Sequence, residues 1–105
     1  ASCSFEVRKG YPFLVNEPKL TEQARSYAKE YLGDANVVEL ELWPAAEDFA
    51  YYSQEANACF YRLGTGNKAK GIDSAVHTPT FDIDEDALAL SIGLMAYITI
   101  KQLSE

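Results

Sequence analysis

Short apolar runs with the spacing of β-strands alternate along this chain with segments that have the spacing of α-helices. In the first two runs every second residue is apolar, which is typical of a strand with one covered and one solvated face. The order strand, helix, strand, helix, strand, helix favours an α/β fold, in which a short parallel or mixed sheet has helices packed on it. The runs are Cys3, Phe5 and Val7, then Val38, Leu40 and Leu42, and finally residues 58–63.

The first helical segment, residues 17–32, is amphipathic and has well-defined ends. We predict Asn16 as its N-cap and Gly33 as its C-cap, because these residue types satisfy the unpaired backbone groups at helix ends. A second, short helix is predicted from about Ala46 to Gln54. The apolar face of the first helix comprises Leu20, Ala24, Tyr27, Ala28, Tyr31 and Leu32.

The last helical segment is apolar on more than one face. We predict that it begins at Asp84 as N-cap, with Ile83 and Leu88 forming a hydrophobic staple across its first turn. Its apolar run, residues 87–100, is too short to cross a bilayer core of about 30 Å and predicts a buried core helix. Three short strands make a small sheet for so apolar a helix. We therefore expect self-association, or packing against protein that is absent from this chain.

The overall composition narrows the class of partner. The 105 residues form at most one domain, and a net charge of −7 argues against binding to nucleic acid or to an anionic membrane. Two cysteines, Cys3 and Cys59, are too few for a disulfide framework, so a reducing, cytoplasmic setting is the default expectation. No signal peptide is recognisable, but the chain starts at Ala1 in what looks like the middle of a strand, so an upstream signal stays open.

His77 is the only histidine, and it lies in a loop before the last helix. The preceding stretch, residues 64–74, carries three glycines and two lysines and is predicted to be a long mobile loop. On the residues alone, His77 is either a structural or solvated side chain or a ligand for zinc, cobalt or manganese. A catalytic zinc site usually needs three protein ligands, so this chain cannot build a histidine-rich site alone.

Two acidic residues, Glu47 and Asp48, open the short second helix. Carboxylates in a first turn favour the positive end of the helix dipole, and this structural interpretation is the stronger one on the residues alone. Adjacent positions on a helix point about 100° apart, so the two carboxylates are poorly placed as a general acid and base.

Five motifs follow one another along the chain. They are Gly10-Tyr11-Pro12 followed by Val15-Asn16, then Leu32-Gly33, Ala46-Glu47-Asp48-Phe49, His77-Thr78-Pro79 with Phe81, and Asp84-Glu85 with Ala87-Leu88. Their order resembles the C-terminal part of one metallohydrolase family. This family contains the amidohydrolases and peptidases typified by hippurate hydrolase, N-acyl amino acid amidohydrolase and the auxin-conjugate hydrolases (peptidase family M-twenty). Ala45 stands where the family usually has the glycine of Gly-Ala-Glu-Asp-Phe.

By this resemblance, His77 would be the last ligand of a two-metal centre of zinc, manganese or cobalt ions, which activates a bridging water to attack an amide carbonyl. The other ligands and the glutamate base belong to the family's N-terminal part and are not in this chain. Residues 1–10 would be the last strand of a lid or dimerisation domain, and residues 11–105 the C-terminal portion of the catalytic domain. The substrate-side loop would comprise Ala46, Glu47, Asp48, Thr78 and Pro79.

The resemblance also implies the partners of the chain. These are the N-terminal part of the same protein, a small N-acyl amino acid or peptide as substrate, and a second copy in a homodimer, with neither nucleic acid nor membrane. The isolated chain is expected to bind no metal and to be inactive. The alternative is a non-enzymatic acidic α/β protein-interaction module, in which His77 is structural and the tyrosines serve a protein partner.

Overall fold

The computed structural model describes residues 1–104, and three α-helices make up most of its regular structure. Two single turns of 3₁₀-helix, at Asp34–Asn36 and Lys68–Lys70, lie in the connections between them. The three helices are α1 (Pro18–Leu32), α2 (Phe49–Glu55) and α3 (Asp86–Leu103).

The helix α1 is confirmed, but its N-cap is Glu17 rather than Asn16. The Glu17 carboxylate accepts a hydrogen bond of 2.6 Å from the backbone N–H of Leu20. Asn16 instead pairs with the backbone of Phe60, donating through Nδ2 at 2.9 Å and accepting through Oδ1 at 2.7 Å. A side-chain amide has both a donor and an acceptor, so it can bond to a backbone as another strand would. Because the Asn16 amide is engaged with Phe60, the next residue, Glu17, caps the helix.

Helix α3 packs against α1 in the one helix-on-helix contact among residues 1–104. Ala24 and Tyr27 of α1 and Leu94 of α3 are buried. At the rim of this contact, the rings of Tyr31 and Tyr97 have centroids 5.3 Å apart. The small core of the described chain therefore consists mainly of one face of each helix.

The starts of α2 and α3 lie later than the sequence predicts. Glu47 lies in the turn before α2, where its Oε1 accepts a hydrogen bond from the N–H of Phe49 at 3.1 Å, so the helix begins at Phe49 and not at Ala46. Asp84 lies one position before the N-cap of α3. Its carboxylate bonds to side chains of the preceding loop at 2.7 Å, and its Oδ1 also accepts a longer hydrogen bond, 3.3 Å, from the N–H of Asp86. The N-cap position of α3 is Glu85.

The three predicted strands form no ladder within residues 1–104, where the one β-bridge joins Asn67 to Ile72. The apolar side chains of the first two runs are exposed, Phe5 to 87% and Leu42 to 97%, whereas Phe60 and Leu63 of the third run are half-buried. A strand needs a neighbour to pair with, and an isolated run cannot supply one. The mixed sheet of the α/β fold therefore stays a prediction.

Most of α3 is exposed, so the prediction of a buried core helix is wrong for this chain by itself. Only Leu94 is buried in α3, because α1 covers one face and nothing in the described chain covers the others. With 18 residues and a mean hydropathy of 1.2, α3 is long and apolar enough to cross a membrane. That is weak evidence, because core helices of water-soluble proteins meet the same criteria. The exposed residues include Leu88, Leu90, Ile92, Met95, Ile100 and Leu103.

Candidate functional site

His77 lies in an exposed turn and is the one residue other than glycine with a positive φ, 63°, among residues 1–104. The left-handed region is sparsely populated by residues with a side chain, although histidine is among the more tolerant types. Such backbone strain costs on the order of 1–3 kcal/mol, and it persists where surrounding contacts impose it. The conformation of His77 is therefore imposed by its loop.

Hydrogen bonds fix the turn on both sides of His77. The hydroxyl of Thr78 donates to the carbonyl of Ala75 at 2.7 Å, and the carbonyl of Thr78 accepts from the N–H of Phe81 at 3.1 Å. Outside these, the hydroxyls of Ser74 and Thr80 lie 2.8 Å apart and share a hydrogen bond. These contacts hold the turn without using the imidazole.

The loop that carries His77 is closed at its base, next to the start of α3. The N–H of Asp84 donates to the carbonyl of Thr65 at 2.8 Å, so the two ends of residues 65–84 meet. We call residues 65–84 the presenting loop. Inside it, Asn67 and Ile72 exchange two backbone hydrogen bonds of 2.7 and 2.9 Å around the Lys68–Lys70 turn.

Side chains reinforce the base of the presenting loop. Asn67 donates through Nδ2 to Oδ2 of Asp84 at 2.7 Å. The Lys70 ammonium group donates to Oδ1 of Asp84 at 2.7 Å and to Oδ2 of Asp86, on the first turn of α3, at 2.8 Å. The Asp84 side chain is only 14% exposed, so both of its oxygens are engaged in a partly shielded place.

The charges at this base stabilise one another. The Lys70 ammonium group, and then the Asn67 amide, lower the pKa of the Asp84 carboxyl group. The hydrogen bonds to Asp84 and then to Asp86 raise the pKa of Lys70 well above its ordinary value. The ion pair is therefore fully charged throughout the neutral range, and it keeps its attraction there.

The other residues predicted for the site lie in two separate places. Glu47 is half-buried and bonds to the start of α2, while Ala46 and Asp48 are exposed. Thr78 and Pro79 are exposed beside His77. No hydrogen bond or ion pair joins the segment before α2 to the His77 turn within residues 1–104.

The described residues offer a metal ion His77 as a single candidate ligand and no complete set of ligands. The described residues contain no group of three or more histidine, cysteine, aspartate or glutamate side chains that could hold a metal ion. An exposed imidazole on a fixed turn fits the role of one ligand. A complete centre would need further ligands from outside residues 1–104.

Sequence reasoning missed Asn67, Lys70 and Asp84 as a connected group. The stretch from residue 64 to 74 is predicted to be mobile because of its glycines and lysines, yet it contains a hydrogen-bonded turn. The available signal is the turn-forming order Asn67-Lys68-Ala69-Lys70-Gly71, with Gly71 in the left-handed conformation at φ 73°. The partner Asp84 could not be found this way, because it lies 14 residues beyond Lys70.

The family model described as Peptidase family M20/M25/M40 matches residues 2–101 of the chain. The chain belongs to this family. The resemblance carried by the motifs around Glu47 and His77 is thereby confirmed. No solved structure matches the chain significantly.

Individual relatives from the M20/M25/M40 family cover nearly all of this chain. Putative amidohydrolase YhaA of Bacillus subtilis is 34% identical over 98% of the chain and 26% of its own length. Thermostable carboxypeptidase 2 of Saccharolobus solfataricus is 35% identical over 96% of the chain and 25% of its length. IAA-amino acid hydrolase ILR1-like 4 of Arabidopsis thaliana is 29% identical over 95% of the chain and 23% of its length. The chain thus spans about a quarter of the length of these relatives.

Proposed function

We propose that this chain is the C-terminal segment of a metal-dependent hydrolase that cleaves an amide bond in an N-acyl amino acid or a small peptide. The observation that carries the proposal is the turn of His77, an exposed imidazole on an imposed left-handed backbone, within a chain of the M20/M25/M40 family. Relatives named amidohydrolase, carboxypeptidase and IAA-amino acid hydrolase support this class of reaction.

In this proposal His77 supplies the last protein ligand of a metal centre whose other ligands lie outside the chain. A bound divalent ion, such as zinc, manganese or cobalt, would polarise the amide carbonyl and lower the pKa of a water molecule. The chain's own contribution is to hold one imidazole in place, since the bonds of Thr78 fix the turn without occupying either ring nitrogen.

The segment before α2 and the residues after His77 are proposed to border the substrate. Ala46 and Asp48 are exposed, and Glu47 fixes the start of α2. We further propose that residues 1–10 are the last strand of a lid domain and that residues 11–105 belong to the catalytic domain. The exposed first strand then offers an edge for pairing in a homodimer.

The decisive experiment replaces His77 in the full-length protein. His77→Asn removes the ring ligand, but asparagine tolerates the left-handed backbone, so the turn is preserved. We expect zinc content to fall and hydrolysis of N-acyl amino acids to drop at least 100-fold. His77→Asp is the matched control, because aspartate tolerates the same backbone and can still bind a metal ion, so it should retain more metal than His77→Asn.

Unchanged metal content and activity in His77→Asn would overturn the proposal. The isolated chain with added zinc or manganese should hydrolyse nothing, because it lacks the remaining ligands. The family match favours the hydrolase over the non-enzymatic interaction module, which predicts no loss of metal content in His77→Asn.

A further inference from the structure

We propose that Asn67, Lys70 and Asp84 are positioning residues that close the presenting loop at its base and hold His77 in place for metal binding. The inference rests on the proposed function of His77 as a metal ligand. It assigns a role to three residues that make no contact with the imidazole.

The presenting loop is long. It comprises 20 residues, 65–84, and two of them, Gly66 and Gly71, are glycines. An open loop of this length and composition would sample many conformations, and ordering it has an entropic cost. Closure at the base reduces this freedom before any metal arrives.

Two levels of contact enclose His77 within the presenting loop. The outer level joins Thr65 and Asp84, and the inner level is the hydroxyl pair of Ser74 and Thr80, with the strained turn of His77 at its tip. The paired turn of Asn67 and Ile72 lies beside the inner level in the same loop, and the Asn67 and Lys70 side chains tie it to Asp84 at the base. The outer closure brings the chain ends closer for the inner one.

The groups at the base of the presenting loop are already bonded to one another. Both carboxylate oxygens of Asp84 already accept hydrogen bonds, one from Asn67 and one from Lys70. Lys70 also reaches Asp86 on α3, so it anchors the loop to a helix. These groups have partners of their own, and their role is to fix the loop relative to α3.

The expected consequence is a change in metal affinity. When only a fraction of molecules holds a ligand in the competent place, the apparent dissociation constant rises by the inverse of that fraction. Loss of residues that orient a ligand typically weakens metal affinity by about 10–100-fold. We expect a change at the lower end of this range for Lys70, because the backbone bonds of the loop remain.

The test compares Lys70→Met with Lys68→Met in the full-length protein. Both remove one positive charge from the same 3₁₀ turn, but Lys68 makes no side-chain hydrogen bond or ion pair among residues 1–104. Zinc dissociation constants are measured by competition with a chromogenic chelator, and amide hydrogen exchange of the presenting loop is measured in the zinc-free protein. We expect Lys70→Met to bind zinc about 10-fold more weakly and to exchange faster at Ile72, with Lys68→Met unchanged.

Recovery of zinc affinity in Lys70→Arg, which restores the charge, supports the proposal. Zinc affinity unchanged in Lys70→Met, even with a lowered melting temperature, would show a merely structural ion pair and overturn it. If Lys70→Met does not fold, Asn67→Ala is judged by the same two measurements.

The failure of this inference is distinguishable from failure of the proposed function. If His77→Asn weakens zinc binding while both lysine variants bind normally, only the positioning role is wrong. If His77→Asn binds zinc as tightly as the parent, both are wrong.

Discussion

At Gly93, the contact between α3 and α1 depends on the absence of a side chain. A Cβ placed there would overlap the hydroxyl of Tyr31 and lie 3.0 Å from its Cζ. Tyr31 in turn packs against the ring of Tyr97. A methyl group at residue 93 must therefore displace the Tyr31 ring from the rim of the helix contact.

We predict that Gly93→Ala destabilises the chain. Overpacking of this kind costs about 1–3 kcal/mol, and over most of that range the cost exceeds the gain of about 1 kcal/mol expected from alanine in a helix interior. The measurement is urea unfolding followed by circular dichroism. In a Tyr31→Ala background the overlap is gone, so the same substitution should become stabilising. A stabilising effect in the presence of Tyr31 would contradict the packing described for this contact.

The sequence predicts the position of His77 but not its backbone conformation. Its motif and its place before a helix could be identified from the sequence, because both are local. Its left-handed backbone could not, because histidine is compatible with several conformations and the choice is made by the hydrogen bonds around it. The ion pair of Lys70 with Asp84 is also a result of folding, and no local pattern encodes it.

A charged group links α1 to α3 at the rim of their contact. Glu30 accepts hydrogen bonds from the hydroxyl of Tyr97 at 2.8 Å and from the Lys101 ammonium group at 2.9 Å. These bonds, that of Lys101 first, lower the pKa of Glu30. A carboxyl group with a lowered folded-state pKa contributes stability above its unfolded pKa of about 4.3, and loses it as the pH falls through the folded value.

We predict that Glu30→Gln destabilises the chain at pH 7, and that this effect is lost as the pH falls through the lowered folded-state pKa of Glu30. The difference in unfolding free energy between the parent and the variant should be small, since the pair is exposed, and should shrink as the pH falls below about 4. Glu55→Gln is the control, because Glu55 is exposed and its side chain makes no hydrogen bond or ion pair within residues 1–104. Urea unfolding at several pH values measures the difference. A difference that persists at pH 2 would rule out the carboxylate as its source.

Some elements are determined by the residues within them, and others by residues far away in the sequence. Helix α1 is confirmed almost to the residue, because spacing and end signals are local. Its N-cap is Glu17 and not Asn16, because the Asn16 side chain hydrogen-bonds to the backbone of Phe60, 44 positions away. The strands require partners, and pairing of distant segments cannot be read from one run such as residues 38–42. Periodicity in the sequence therefore predicts that a helix forms, while contacts with distant residues decide at which residue it begins.

At the scale of the whole molecule, the chain exposes far more surface than a folded domain of its mass. Its accessible surface is 8867 Å², whereas a compact protein of 11.7 kDa exposes about 5,900 Å². Its radius of gyration is 17.8 Å, against about 13 Å for a compact domain of this length. Four apolar residues, Ala24, Tyr27, Ala50 and Leu94, are buried within residues 1–104. Residues 1–104 therefore leave most of their apolar faces without cover of their own.

We predict that the isolated 105-residue chain binds the dye ANS strongly and self-associates, because its apolar faces lie open to water. Light scattering coupled to size-exclusion chromatography should give a mass that rises with protein concentration. Replacing Phe5, Val7 and Leu42, three of its exposed apolar residues, by lysine should reduce both association and dye binding. The full-length protein of the proposed function should bind little dye, since its remaining sequence would cover these faces. A monomeric isolated chain without dye binding would instead favour a self-sufficient domain, and with it the interaction module over the hydrolase segment.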